Sequence, residues 1–440
     1  MRFDEAVKAA LSIAEEYAVE HQQSVIAIRD LLGRTALAIE QAPDPETLTR
    51  LQERLHSGCS PFVGGQPVIV LDEMFAPELI IDSPDRRPAP LTSSPSGRVS
   101  LIERGFVGSE WLNAKTDVKS RRVSLYGFKG GVGRSSATFA LAQHMARRGL
   151  AVLVIDLDLE SAGISTMLAP DSEDEPTHGI LDHLVEYGVG NAEGLDLVAQ
   201  SRSVGQFTGN GEVWFSSVAG RPREGASYLD KLSRAYVDLP ANPLLNRSAL
   251  PFGRRLEAAV SECEAQVASR SRTPDVVLLD SRSGIHDVAA VAITQLSGLS
   301  LLFATDNPQT WQGYTELFSR WQNRLDPSMR NVLRDRIQMV SAMTPQRNRS
   351  EYIEAFADRS QSCFAATIYD DAEADAKDAF NFAPQDVLAP HYPISINHSV
   401  DLIGLVPGVD AEWAENDATT VAYSEFVTRS TDLILEPSNA

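Results

Sequence analysis

Three short stretches of this chain carry residue types suited to phosphate and metal chemistry. The first reads Phe128-Lys-Gly-Gly-Val-Gly-Arg-Ser-Ser136. Gly130, Gly131 and Gly133, with Val132 among them, let the backbone turn tightly and bring its N–H groups against an anion. A helix starting at Ser135 adds a positive dipole end and open amides to the same spot. Two cations stand here, Lys129 and Arg134, where the usual phosphate loop carries one lysine before Ser/Thr, and the Ser135 hydroxyl holds the Mg²⁺-ligating position with Ser136 beside it. The second stretch, Asp156-Leu-Asp158, places two carboxylates on the same side of a strand end. They repel unless a metal or cation lies between them; one can organise a Mg²⁺ shell and the other can orient an attacking water. The third, Val277-Leu-Leu-Asp280-Ser-Arg-Ser-Gly284, is an apolar strand ending in an aspartate that can help hold Mg²⁺. Gly284 allows a backbone amide to approach a terminal phosphate. Arg282 has two open uses, a phosphate or an acidic partner.

Each stretch ends an expected strand, and in an open α/β sheet the carboxyl ends of the strands share one ligand-binding edge. The strands are Val123–Phe128, Ala151–Asp156, Val276–Asp280, Leu299–Ala304 and Ile337–Val340, with helices at Ser135–Arg148 and Arg254–Ser269. Near-continuous apolar strands separated by helices predict a doubly wound, mostly parallel α/β sheet covered on both faces. Residues 1–82 read as a small helix-rich domain. Ala6, Ala10, Leu11, Ile13 and Ala14 fall near helical spacing, as do Ile28, Leu31, Leu32, Ala36 and Ile39. Pro43-Asp44-Pro45 breaks the pattern before a third helix through Leu48, Leu51 and Leu55. Val68–Leu71 begins as a strand. Residues 83–99, rich in Pro, Ser and Arg, read as a linker, which leaves 100–440 as the larger domain.

Composition narrows the function. The 440 residues are 43% hydrophobic and carry a net charge of −21. From Glu351 onward there are 17 Asp/Glu and 3 Lys/Arg, a solvated acidic face or a docking surface for a basic partner. No apolar run approaches a membrane span, and Ser424–Ala440 sets Glu425, Asp432 and Glu436 against Arg429 alone, unlike a basic membrane-surface helix. Nucleic-acid binding is unlikely at this charge; Arg86, Arg87, Arg121 and Arg122 form the local basic group. Cys59, Cys263 and Cys363 are too far apart for a metal motif, and a reducing cytoplasmic location is expected.

The three stretches resemble the motifs of the MinD/ParA class of P-loop ATPases, whose deviant phosphate loop reads Lys-Gly-Gly-Val-Gly-Lys-Ser/Thr. The loop looks nearest to a KGGVGR subgroup in which the second lysine is arginine. Lys129–Ser136, Val152–Asp158 and Asp275–Gly284 carry the likeness, and Leu302–Trp311 is similar to the strand and turn that follow. It covers about residues 100–430.

The resemblance implies a P-loop NTPase fold that binds ATP and Mg²⁺, with ATP sandwiched in a homodimer. Lys129 would reach across to the partner's phosphates. Arg134 would hold the β/γ-phosphates of its own subunit, within the cradle of Gly130, Gly131, Val132, Gly133, Ser136 and Gly284. Asp158 matches the water-orienting position, and Ser135, Asp156 and Asp280 match the magnesium shell. The adenine pocket would follow the last two strands, near Thr344-Pro345 and Pro393-Ile394. Arginine at 134 binds phosphate but cannot act as a lysine's point charge, so a slow ATPase is expected. It would serve as a nucleotide-dependent dimer switch that recruits or positions a protein partner. The alternative is a non-hydrolysing nucleotide-binding scaffold in a multi-protein regulatory or defence system.

Overall fold

The computed structural model describes all residues except 84, 90–96, 106, 107, 206, 208, 226, 240–247, 373–378, 411, 412, 414, 415 and 436–440. Residues 84 and 90–96 of the expected linker and Glu436 therefore lie outside the described residues. The chain divides into two compact units, Met1–Ser109 and Glu110–Ala440.

The first unit is built on a five-stranded sheet of order β3-β2-β1-β5-β4. Its strands are β1 Val25–Arg29, β2 Thr35–Ile39, β3 Val63–Val70, β4 Arg86–Pro88 and β5 Val99–Glu103. Helices Phe3–His21 and Pro45–Cys59 cover one face, where Leu11, Ala14, Leu51 and Leu55 meet Val25, Ala27, Leu37 and Ile39. The second of these helices starts at Asp44, whose carboxylate accepts from the Glu46 and Thr47 amides, so Pro43-Asp44-Pro45 marks a helix start.

The helical reading of Ile28–Ile39 is corrected here: those residues form the β1–β2 hairpin. Asp30 Oδ1 accepts from the Leu32 and Arg34 amides, and Gly33 takes a left-handed φ of +80°, so the chain reverses before a helix can propagate. Both faces of these strands are buried. Ile26 and Ala38 pack with Leu71, Ile80 and Ile102 on the other face, and that two-sided apolar run mimicked helical spacing. Within the segment expected as a linker, β4 pairs antiparallel with β5.

The second unit is a mostly parallel eight-stranded sheet of order β13-β12-β11-β6-β10-β7-β9-β8. Its strands are β6 Lys119–Gly127, β7 Ala151–Leu157, β8 Ala199–Gln200, β9 Glu212–Ser216, β10 Val276–Ser281, β11 Ser297–Ala304, β12 Ile337–Thr344 and β13 Ile394–Asn397. Among the described residues, only the edge pair β8–β9 of this sheet is antiparallel. One face packs on helices Arg134–Arg147 and Asp417–Leu435, through Ala137, Leu141, Phe426 and Ile434. The other packs on helix Phe252–Arg270 through Leu256 and Val260, and on helices Pro308–Arg324 and Arg349–Ala365 through Tyr314, Phe318, Phe356 and Phe364. Burying each Leu, Ile, Val or Phe among these contributes about 1.5–3 kcal/mol. This is the doubly wound, mostly parallel α/β architecture expected from the strand pattern. β6 lies between β10 and β11, which makes its carboxyl end the point where connections diverge to opposite sides of the sheet.

Candidate functional site

The glycine loop leaves β6 at that point. Gly131 and Gly133 have φ of +73° and +79°, values that side chains other than glycine's resist. At Gly127 a Cβ would stand 3.2 Å from Val132 Cγ2 and 3.3 Å from the Lys129 carbonyl oxygen. The helix that follows, Arg134–Arg147, is capped by the backbone of Gly133 with no side-chain cap, so its first-turn amides stay open to an anion. Phe128 anchors the start of the loop on helix Pro308–Arg324, its ring 6.3 Å from that of Tyr314. Lys129 is half-buried, and among the described residues no ion pair occupies it.

Arg134 is 9% exposed. Its Nη2 lies 3.8 Å from Asp158 Oδ2, and its buried Nη1 has no hydrogen-bond partner. The Ser135 hydroxyl donates to Asp280 Oδ2 at 2.6 Å, while Asp280 Oδ1 and Asp158 Oδ1 are buried without partners. Asp156 is saturated: it accepts from the amides of Asp158 and Ser165, each at 3.1 Å, and from the Ser165 hydroxyl. Burial raises the Asp156 carboxyl to about 7, with the Asp280 charge adding to it. Burial likewise raises Asp280 to about 6, opposed by Arg134 and by the Ser135 hydroxyl. Two carboxylates pushed up side by side are a site lacking positive charge.

The donor set suits Mg²⁺. Among the described residues no group of three or more His, Cys, Asp and Glu converges. One hydroxyl and one carboxylate would serve a cation whose other ligands are phosphate oxygens and waters. Asp280 Oδ1 and Ser135 Oγ are the atoms open to it, whereas Asp156, expected in the same shell, spends both oxygens on Asp158 and Ser165.

The third loop lies against the first. The Gly284 amide donates to the Gly127 carbonyl at 3.3 Å, Tyr126 donates to the Gly284 carbonyl at 3.1 Å, and a Cβ on Gly130 would stand 3.4 Å from Ser283 Oγ. Arg282, whose use the sequence left open, pairs with an acid, Glu160.

A cavity of about 230 Å³ opens beside the loop, lined by Val132, Gly133, Ser136, Met343, Asn397 and Tyr423 among others. Its lining differs from the residues expected around a base. Pro393 precedes β13 and Ile394 begins it, at the wrong end of the strand, whereas the cavity uses Ile396–Ser399 at the carboxyl end. Thr344 is buried, and its neighbour Met343, with φ of +55°, turns into the cavity wall. No sequence motif marks these residues; only their place past the last two strands does.

Residues 123–379 match the family model described as the CobQ/CobB/MinD/ParA nucleotide binding domain. The chain belongs to this family. No curated protein matches it in sequence. Among solved structures, MinD of Pyrococcus horikoshii with Mg-ADP is 16% identical, covering 72% of this chain and 97% of its own, with a TM-score of 0.41. Cobyrinic acid a,c-diamide synthase of Mycobacterium smegmatis, with an ATP analogue and magnesium, is 14% identical over 71% and 95% at 0.41. The pNOB8 ParA bound to nonspecific DNA is 12% identical over 72% and 98% at 0.43.

Two surfaces singled out in the sequence can be placed in this CobQ/CobB/MinD/ParA-family chain. Arg122 of the basic group is buried and bound to Glu264 by Nε at 2.7 Å; the family match lends the expected absence of nucleic acid no support. No described helix is long and apolar enough to cross a membrane, and the C-terminal helix buries Phe426, Val427 and Ile434 against the sheet.

Proposed function

We propose that the chain binds ATP with Mg²⁺ at the β6 loop, hydrolyses it slowly, and uses the nucleotide to pair two copies that recruit or position a protein partner. The observation that carries this is the meeting of three buried polar atoms without partners, Arg134 Nη1, Asp158 Oδ1 and Asp280 Oδ1, beside open helix-N-terminal amides in a nucleotide-binding family. Buried polar groups are almost always satisfied, so these await a charged ligand.

In this reading the loop amides and Arg134 bind the phosphates, and Ser135 and Asp280 hold the metal. A bound metal would supply charge neutralisation for the phosphates. Asp158 accepts a hydrogen bond from water and orients it, and Asp156 keeps Asp158 in register through its amide. Lys129, free of protein partners among the described residues, is available to the second copy. The cavity at Ser136 and Tyr423 takes the base.

Purified protein tests this by ATP and ADP affinity, turnover, and size with ATP, ADP and no nucleotide, for wild type and Lys129→Ala. ATP-dependent dimerisation lost in the variant is the expected result; no ATP affinity in the wild type sinks the reading. A non-hydrolysing scaffold is the second reading. The Arg134–Asp158 pair at 3.8 Å favours it, because it draws on the carboxylate that would orient water. Tight ATP binding with turnover no faster than buffer would select it.

A further inference from the structure

Glu160 and Arg282 sit in the loops that follow β7 and β10, and they meet in an ion pair. Ion pairs open to solvent are commonly worth little, but this one is half-buried and braced. The Tyr236 hydroxyl donates to Glu160 Oε1 at 2.7 Å. His286 Nε2 stands 3.4 Å from the same oxygen, and its ring meets the Tyr236 ring edge-on at 4.9 Å between centroids. The carboxylate is thus fixed from three directions, by the segment after helix Tyr228–Ala235, by His286 and by Arg282. A carboxylate held this way orients the group it binds.

Arg282 is placed where orientation matters. Its neighbours Ser283 and Gly284 lie against the phosphate loop, at Gly130 and Gly127. A guanidinium has five N–H donors in a rigid fork. Glu160 engages Nη1, and among the described residues the other donors of Arg282 have no protein partner.

Resting on the nucleotide reading above, we propose that Glu160 is a positioning residue. It holds Arg282 so that the remaining donors of the guanidinium meet the terminal phosphate of a bound nucleoside triphosphate, and the site thereby tells triphosphate from diphosphate. Arg282 makes the contact; Glu160 acts only through it.

The test uses the full chain with Mg²⁺ and compares affinity for a non-hydrolysable ATP analogue with affinity for ADP. Arg282→Ala lowers the triphosphate-to-diphosphate affinity ratio about tenfold, the size of a charge-assisted hydrogen bond. Glu160→Gln lowers it several-fold in the same direction, and the double variant is no worse than Arg282→Ala alone, as coupled residues require. Tyr236→Phe, which removes a brace without touching the ion pair, gives a smaller drop and decides the matter if Glu160→Gln does not fold. A role limited to tying two loops together would change melting temperature and leave the ratio alone, which overturns the proposal, as does strict additivity in the double variant. Wild type that binds neither nucleotide overturns the nucleotide reading itself. Wild type that binds both, with a ratio indifferent to Glu160→Gln and Tyr236→Phe, overturns only the positioning role.

Discussion

The Ser135 hydroxyl donates to Asp280 Oδ2 at 2.6 Å, joining residues 145 positions apart in the chain. The bond fixes the start of helix Arg134–Arg147 to the end of β10, and it holds together the two side chains best suited to a divalent cation.

Ser135→Ala removes one of those ligands. It should weaken nucleotide binding about tenfold in the presence of Mg²⁺, and have little effect once the metal is chelated. Titrations with and without EDTA measure the difference; equal losses in both would separate Ser135 from the metal.

Arg134 bears on rate more than on affinity. Arg134→Lys keeps a cation in the loop but, being shorter and lacking the planar fork, releases Asp158 from the 3.8 Å pair. Affinity should stay within several-fold and steady-state turnover should rise. Unchanged turnover would mean that the arginine is not what slows the chemistry.

The buried aspartates make stability depend on pH. Their folded-state values, about 7 for Asp156 and about 6 for Asp280, exceed the ordinary 3.8. The folded state therefore binds more protons than the unfolded state between pH 4 and 7, and stability from these groups is complete below the lower limit and lost as pH rises through the upper one. Asp280→Asn removes one charge, so its melting temperature should match wild type near pH 4 and exceed it at pH 7.5, by about 3 kcal/mol in stability. Mg²⁺ with nucleotide should stabilise the wild type and not the variant. Parallel melting curves for the two proteins across this range would reject the assignment.

Helix Pro308–Arg324 supports the loop from behind. A Cβ on Gly313 would stand 2.4 Å from the Phe128 ring, so Gly313→Ala must displace the residue next to Lys129. It should cost about 1–3 kcal/mol as an overpacked contact and weaken nucleotide binding as well. Adding Phe128→Ala removes the clash, and part of the lost stability should return. Thermal denaturation of the single and double variants reads this out.

The phosphate-binding loop and the two acidic strand ends were legible because each is a local signal. Glycines at fixed spacing, hydroxyls at a helix start and an aspartate closing an apolar run need no knowledge of distant residues. The same holds for β6, β7, β10, β11 and β12, whose apolar runs are long enough to stand out. The hairpin at Val25–Ile39 was not legible, because strands buried on both faces lose the alternation that identifies a strand. The short strands β8, β9 and β13 offered too few residues for a pattern.

The sequence by itself determined the chemistry on offer: a glycine cradle, two cations, two hydroxyls and three carboxylates, each at the end of an expected strand. Only the tertiary structure decided the partnerships. Arg134 goes to Asp158, Ser135 to Asp280, Arg282 to Glu160, and the cavity beside the loop is lined by residues at and beyond the end of β13. Strand order and register set which loops become neighbours, and that order is the outcome of packing helices on both faces of one sheet rather than of any short stretch of chain.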